Sequence, residues 1–88
     1  MTKNTVEIIN KTGLHARPAS DFVLATKKYE SRITICREGG VPVNAKSVVR
    51  ILAEGLGQGA KIEIAAEGAD EEQAVAELTA LVVSGFGE

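Results

Sequence analysis

The sequence is poor in the residues that build several common kinds of site. Its 88 residues include one cysteine, one histidine, one tyrosine, two phenylalanines and no tryptophan. The lone Cys36 cannot form an internal disulfide, so nothing in the chain requires an oxidising compartment. With a single histidine beside it, neither a metal site nor a nucleophile–base–acid arrangement for hydrolysis is expected.

Clustered basic residues and long apolar runs are also missing. The formal net charge is −2, and the longest basic run is Lys27-Lys28. A nucleic-acid-binding face needs clustered cations and stacking aromatics, so no nucleic-acid partner is expected. No N-terminal apolar signal region and no apolar run of transmembrane length is present. We therefore expect a cytoplasmic protein without a membrane partner.

The hydrophobic pattern predicts four strands and three helices in the order β-α-β-β-α-β-α. The predicted strands cover residues 5–9, 32–37, 41–43 and 61–67, and the predicted helices cover 16–28, 48–54 and 70–84. Each strand has one polar face, which indicates an α+β sheet covered by helices on one side. A ferredoxin-like strand order would bury the third strand, where Pro42 is awkward, and an order with that strand at the edge suits Pro42 better.

Local signals add four narrower predictions. Asn44 or Ser47 is expected to be the N-cap of the second helix, and Gln73 stands at the capping-box position of the third. Cys36 alternates outward on its strand and is expected to be a half-buried, unreactive thiol. The glycine-rich segment 55–59 follows a helix and precedes a strand, the reverse of a phosphate-binding loop, so it is interpreted as a helix stop.

The most informative segment covers residues 13–20, where the only histidine, His15, lies between a polar turn and a helix. Free N–H groups and the peptide dipoles make a helix start an anion site, and they disfavour the imidazolium form of His15. The planar guanidinium group of Arg17 offers several charged N–H donors that suit phosphate oxygens. Pro18 fits the first turn of a helix, and Gly13 allows the chain to turn just before it. The pattern fits a neutral imidazole that accepts a phosphoryl group. A capping or packing histidine is the other interpretation.

The run Leu14-His15-Ala16-Arg17-Pro18-Ala19 resembles the active-site segment of HPr, the histidine-containing phosphocarrier of the bacterial sugar phosphotransferase system. The resemblance extends from the first strand to residues 85–88. It implies an HPr-like open-faced β-sandwich, a four-stranded antiparallel sheet ordered 1-4-2-3 with three helices on one face. It also implies a single HPr domain over residues 1–88, without a cofactor and without enzymatic activity of its own.

By this resemblance, Enzyme I charged by phosphoenolpyruvate would phosphorylate His15, and an enzyme IIA would receive the group. Arg17 would clamp the phosphoryl oxygens, and the N–H groups of Ala16 and Arg17 would bind the rest. The transfer requires a flat, largely apolar surface around His15, and some of the candidates for it must be core residues. The candidates are Ala16, Ser20, Val48, Val49, Ile51 and Leu52. A monomer is expected.

The segment 44–49 resembles the part of HPr that carries a regulatory serine, here Ser47. The resemblance implies an HPr kinase/phosphorylase and a catabolite repressor as further partners. Arg50 and Glu54 depart from the usual pattern by placing charge beside a docking surface, which weakens the expectation that these two partners recognise the chain. Two other functions stay open: a carrier of a nitrogen-related or other regulatory branch, and an RNA-binding sandwich, which the few aromatics and acidic balance disfavour.

Overall fold

One four-stranded antiparallel sheet organises the computed structural model, which describes residues 1–88. Its strands lie in the order β1-β4-β2-β3, which confirms the α+β class and the order 1-4-2-3. The elements are β1 (Thr2–Glu7), α1 (Ala16–Thr26), β2 (Arg32–Arg37), β3 (Val43–Asn44), α2 (Val48–Ala53), β4 (Lys61–Glu67), α3 (Glu71–Val83) and a 3-10 turn (Gly85–Gly87). No helix has the length and apolar character needed to span a membrane.

The two central strands, β2 and β4, have the bounds that the alternation predicts. Their isoleucines face the helices and are fully or almost fully buried, with Ile35 directly opposite Ile64 in the ladder. On the other face, Cys36 is buried rather than half-buried. Burial, together with nearby Glu63 and Glu54, raises the pKa of the Cys36 thiol, which is consistent with an unreactive group.

The first strand covers Thr2–Glu7 rather than the predicted 5–9. Of its helix-facing positions, Thr2 and Asn4 are polar and only Val6 packs against the core, so the strand shows little apolar alternation. The Thr2 hydroxyl donates to a Glu71 carboxylate oxygen at 2.7 Å, and the Asn4 amide donates to the Thr79 hydroxyl at 3.3 Å. At Thr2 and Asn4, these contacts with α3 take the place of apolar packing.

The third strand lies at the sheet edge, as Pro42 predicted, but it is shorter than expected. Only Val43 and Asn44 pair with β2, and Pro42 lies outside the ladder. Because proline has no N–H to donate, the chain joins the ladder only after it. The edge strand is therefore a short one.

The predicted capping role of Gln73 is wrong. Glu71 makes the reciprocal bond instead, accepting from the Gly68 N–H at 3.2 Å. The N-cap residue, Asp70, does not cap its own helix. Its carboxylate accepts from the N–H groups of Glu30 and Ser31 at 2.9 and 3.0 Å and from the Ser31 hydroxyl. Asp70 therefore ties the start of α3 to the loop that follows α1.

These carboxylates make the fold sensitive to acid. The hydrogen bond from Thr2 is the main reason why the pKa of Glu71 falls from 4.5 to about 2. Hydrogen bonds also lower the pKa values of Asp70, Glu77 and Glu88. A carboxyl group whose pKa is lower in the folded than in the unfolded protein stabilises the fold above the unfolded pKa, and this stabilisation is lost as pH falls through the folded pKa.

We therefore expect the urea midpoint to fall as the pH drops from about 5 to about 2. Glu71→Gln removes one of the groups responsible, so its midpoint should depend less steeply on pH than that of the wild type. Glu72→Gln, at the exposed neighbouring position, serves as the matched control and should follow the wild-type curve. A wild-type midpoint that does not change over this range would contradict the assignment.

Candidate functional site

His15 lies at the junction between the β1–α1 loop and α1. The preceding residue, Leu14, is fully buried, and its N–H donates to the Leu56 carbonyl at 2.8 Å. His15 is half-buried and occupies the N-cap position with an extended backbone, φ −133° and ψ 166°. Its side chain makes no capping hydrogen bond, so the capping interpretation of this histidine is wrong. The backbone is therefore held in place at Leu14, and the His15 ring takes no part in capping α1.

Gly13 allows the loop to pass close to the segment that follows α2. Its φ is +70°, a conformation that other residues rarely adopt. A Cβ atom here would lie 2.6 Å from the Leu56 carbonyl oxygen and 2.7 Å from the Gly57 Cα. The absence of a side chain at Gly13 is therefore what lets the loop reach the position from which it presents His15.

The start of α1 is strained and rich in unused N–H groups. Ala16 has φ +50°, which costs an L residue roughly 1–2 kcal/mol. Neither Ala16 nor Arg17 donates its N–H to a backbone acceptor, and the buried Pro18 has none to donate. The first bond of this turn runs from the Ala19 N–H to the His15 carbonyl at 3.4 Å. The N–H donors that the sequence predicts for an anion beside His15 are therefore present.

Arg17 extends into solvent, and its side chain is 90% exposed. Its closest carboxylate is that of Asp21, one helical turn later, with 3.9 Å between Nε and Oδ2. An exposed pair at this separation is weak. The guanidinium is therefore held only loosely and can turn toward an anion at the helix start.

Ser47 is the N-cap of α2, which decides between the two predicted caps. Its hydroxyl oxygen accepts from the Arg50 N–H at 3.3 Å. Asn44 closes a tighter turn instead, with its side-chain oxygen accepting from the Lys46 N–H at 2.9 Å. Ser47 is half-exposed, so its hydroxyl combines a structural role with access to solvent.

Five of the six predicted docking residues are exposed, and one is not. The exposed ones are Ala16, Ser20, Val48, Val49 and Leu52. The sixth, Ile51, is 0% exposed and belongs to the core cluster. It lies on the face of the short helix α2 that packs against the rest of the protein, so it cannot contact a partner.

Leu24 is a surface residue of this region that the sequence reasoning missed. It is 64% exposed, and it shares a shallow depression with Ser20 and Val48. Leu24 follows Ala16 and Ser20 at intervals of four residues, which places all three on one face of α1. That spacing was the available signal. We call the exposed residues Ala16, Ser20, Leu24, Val48, Val49 and Leu52 the docking face.

Taken together, the site offers one imidazole ring, unused N–H donors and one exposed, weakly paired cation. No group of three or more His, Cys, Asp or Glu side chains in the structure could hold a metal ion. The arrangement is suited to accept and hold an anionic group, because the free N–H groups at the start of α1 and the Arg17 guanidinium favour negative charge beside His15.

Comparison with known proteins identifies the family. The family model described as "PTS HPr component phosphorylation site" matches residues 2–84. The chain belongs to the HPr family. As a member of the HPr family, the protein is a phosphocarrier of the phosphotransferase system rather than an enzyme in itself. The family prediction made from the His15 segment is therefore confirmed.

Individual HPr-family relatives match over nearly the whole chain. The phosphocarrier protein HPr of Haemophilus influenzae is 44% identical over 82 residues, covering 93% of this chain and 95% of that protein. The phosphocarrier protein NPr of Escherichia coli is 38% identical over 86 residues, covering 98% and 96%. The crystal structure of HPr-C-His from Thermoanaerobacter tengcongensis is 46% identical and superimposes with a TM-score of 0.95, covering 100% of this chain and 98% of that one.

Proposed function

We propose that His15 accepts a phosphoryl group from Enzyme I, itself charged by phosphoenolpyruvate, and passes it to an enzyme IIA for sugar uptake in the cytoplasm. The observation that carries this proposal is the position of the His15 ring. The side chain of His15 makes no capping bond, the residue directly precedes the free N–H groups of Ala16 and Arg17, and it lies inside the segment that matches the phosphorylation-site family.

The transfer needs little from the protein beyond positioning and charge. The neutral Nδ1 atom of His15 attacks the phosphorus atom carried by Enzyme I, and the bond between that phosphorus and the Enzyme I nitrogen breaks. The phosphoryl oxygens then lie against the N–H groups of Ala16 and Arg17. In the second transfer, a histidine of enzyme IIA attacks in line and the bond to Nδ1 breaks. The free N–H groups stabilise the anion in both steps.

Arg17 is the proposed clamp for the phosphoryl oxygens. We expect Arg17→Ala to slow phosphoryl transfer without abolishing acceptance, because the N–H donors stay in place. A charge-assisted hydrogen bond contributes about 1.5–3 kcal/mol, so the rate should fall on the order of tenfold to a hundredfold. Rapid-quench measurement of transfer from phosphorylated Enzyme I tests this.

A matched comparison for Arg17 comes from Asp21, its only ion-pair partner. Asp21→Asn frees the guanidinium, so this variant should transfer at or slightly above the wild-type rate. A wild-type rate in Arg17→Ala would rule out the clamp.

The docking face supplies the partner surface in this proposal. Val49 and Leu52 on α2 are exposed apolar residues, and Leu24 extends the apolar area along α1. An apolar patch next to a reactive ring suits the flat approach of another protein's histidine. We propose that Enzyme I and enzyme IIA bind this face in turn, and that the carrier acts as a monomer.

A carrier of the nitrogen-related branch is the second candidate, because the Escherichia coli NPr is 38% identical over almost the whole chain. The two functions share His15 and differ in their partners. The test compares the rate of His15 phosphorylation by Enzyme I of the sugar branch and by its nitrogen-branch counterpart, at equal concentrations. The proposed function predicts faster transfer from the sugar-branch enzyme, and the reverse order would favour the second candidate.

We also propose Ser47 as a site of regulatory phosphorylation by an HPr kinase/phosphorylase, with a catabolite repressor as the reader of the modified form. The residue is half-exposed, and its hydroxyl lies at the start of α2, where added negative charge meets N–H donors. The exposed Arg50 is close in sequence and could pair with the new charge. A phosphate here would alter the charge of the docking face beside Val48.

A further inference from the structure

Glu88, which follows the turn after α3, contacts the loop that presents His15. We call residues 8–15 the acceptor loop. One carboxylate oxygen of Glu88 accepts from the Thr12 N–H at 3.1 Å and from the Asn10 side-chain amide at 3.1 Å. The other accepts from the Thr12 hydroxyl at 2.7 Å. Three donors from one short loop therefore converge on a single side chain that is 76–78 residues distant in sequence.

Asn10 carries this contact to within two residues of His15. Its side-chain N–H₂ donates to Glu88 and also to the Gly13 carbonyl at 3.0 Å. Asn10 is only 3% exposed, and its side-chain oxygen is buried without a partner. Because both neighbours of the nitrogen are acceptors, the amide cannot be turned to satisfy the oxygen. The unpaired oxygen costs free energy, and it accompanies the two hydrogen bonds by which the Asn10 amide links Glu88 to Gly13.

An unusual backbone path places Glu88 there. After α3, the consecutive residues Gly85, Phe86 and Gly87 all have positive φ, at 72°, 55° and 80°. Phe86 is not a glycine, so this conformation is strained, and it is held by the packing of Phe86 against the core. The Glu88 N–H closes the turn on the Gly85 carbonyl at 2.9 Å. This strained backbone conformation therefore places Glu88 against the acceptor loop.

We propose that the Glu88 carboxylate is a positioning residue for phosphoryl transfer, which holds the acceptor loop in the conformation that presents His15. This inference rests on the proposed function of His15. The hydrogen bonds from Thr12 and Asn10 also lower the pKa of Glu88, so the carboxylate stays ionised and bound at neutral pH. In this proposal Glu88 does not contact the phosphoryl group. It positions His15 indirectly, through its hydrogen bonds with Asn10 and Thr12 and through the bond from Asn10 to Gly13.

The kinetic test uses Glu88→Ala, Glu88→Gln and the control Glu72→Ala, with Enzyme I as phosphoryl donor. The side-chain hydrogen bonds of Glu88 go to Asn10 and Thr12 and to no residue of the docking face, so KM for the carrier should stay unchanged while kcat falls. We expect a fall of about three- to tenfold in Glu88→Ala, discounted for the exposure of the contact. Glu88→Gln keeps one acceptor oxygen and should lie between Glu88→Ala and the wild type. Glu72→Ala should match the wild type.

A spectroscopic readout separates positioning from general stability. In Glu88→Ala, amide hydrogen exchange at Thr12 and Gly13 should accelerate while the amides of β2 and β4 keep their wild-type rates. The double variant Thr12→Val/Glu88→Ala should show a smaller loss of kcat, on a logarithmic scale, than the sum of the losses in the two single variants. Both substitutions remove the same contact between Thr12 and Glu88.

The outcomes distinguish this inference from the proposed function. Wild-type kcat in Glu88→Ala, with an active wild-type protein, would overturn the positioning role alone. A wild-type protein that accepts no phosphoryl group would overturn the function of His15 and this inference with it. A lowered kcat accompanied by uniformly faster exchange throughout the protein would assign Glu88 to global stability and would also overturn the positioning role.

Discussion

Replacing His15 with alanine should abolish phosphoryl acceptance and leave the protein folded. The ring is the only imidazole in the chain, and it makes no capping hydrogen bond. Its removal should therefore change the free energy of unfolding by no more than about 0.5 kcal/mol, as for other surface substitutions. Transfer of label from radioactive phosphoenolpyruvate through Enzyme I measures acceptance, and a urea titration measures stability. A grossly unfolded variant would show that His15 is structural.

A control with the opposite pattern comes from Asp70. Its carboxylate binds the Glu30–Ser31 loop at the C-terminal end of α1, whereas His15 lies at the N-terminal end. Asp70→Ala should lower the urea midpoint and still accept label at the wild-type rate under conditions where it is folded. If both variants lost acceptance, the loss could not be assigned to the His15 ring.

Gly13→Ala should be strongly destabilising and should also slow phosphoryl acceptance. The left-handed backbone conformation costs roughly 1–2 kcal/mol, and an overpacked contact adds roughly 1–3 kcal/mol. The contact exists because the new Cβ would lie 2.6 Å from the Leu56 carbonyl oxygen. We therefore expect a loss of about 2–5 kcal/mol in the free energy of unfolding, measured by urea denaturation. The loop must move to relieve the contact, so His15 is displaced.

Gly59→Ala is the matched control for Gly13→Ala. Gly59 also has a positive φ, +87°, but a Cβ there would meet nothing within 4 Å. In Gly59→Ala the free energy of unfolding should therefore fall only by the cost of the left-handed backbone conformation, roughly 1–2 kcal/mol. Equal losses in the two variants would show that close approach to residues 56–57 does not fix the acceptor loop.

The strands differ in how well the sequence could predict them, and the reason is physical. In β2 and β4, branched apolar residues alternate with polar ones and face a helix layer, so the period identifies both strands and their ends. In β1, the helix-facing side chains of Thr2 and Asn4 bond to polar partners on α3. Such a strand has no apolar period, and the adjacent Ile8 and Ile9 drew the prediction toward the loop.

The positions of the candidate site residues were largely predictable because these residues are close together in sequence. His15, Arg17 and Pro18 belong to one turn, and the Ser47 cap is a contact over three residues. That Ile51 is buried while its neighbours are exposed was not predictable. Because α2 has only six residues, fewer than two turns, its apolar pattern is too short to define a buried face. Leu24 was missed because an exposed leucine in a helix is common, and only its four-residue spacing from Ala16 and Ser20 indicates that it belongs to this surface.

Two features of the site had no signal in the sequence at all. Alanine is not a residue that marks a left-handed conformation, so the positive φ of Ala16 comes from how the loop meets the helix. The bonds of Glu88 to Thr12 and Asn10 join residues that are 76–78 positions apart in sequence. Contacts of this kind depend on the finished fold, so no local pattern can predict them.

The most direct test of the account is the intact mass of the protein after incubation with phosphoenolpyruvate, magnesium and Enzyme I. We expect the addition of one phosphoryl group, which is lost in acid and is absent from His15→Ala. No change in mass, while an active HPr in a parallel reaction is phosphorylated, would contradict the assignment of His15 as the phosphoryl acceptor.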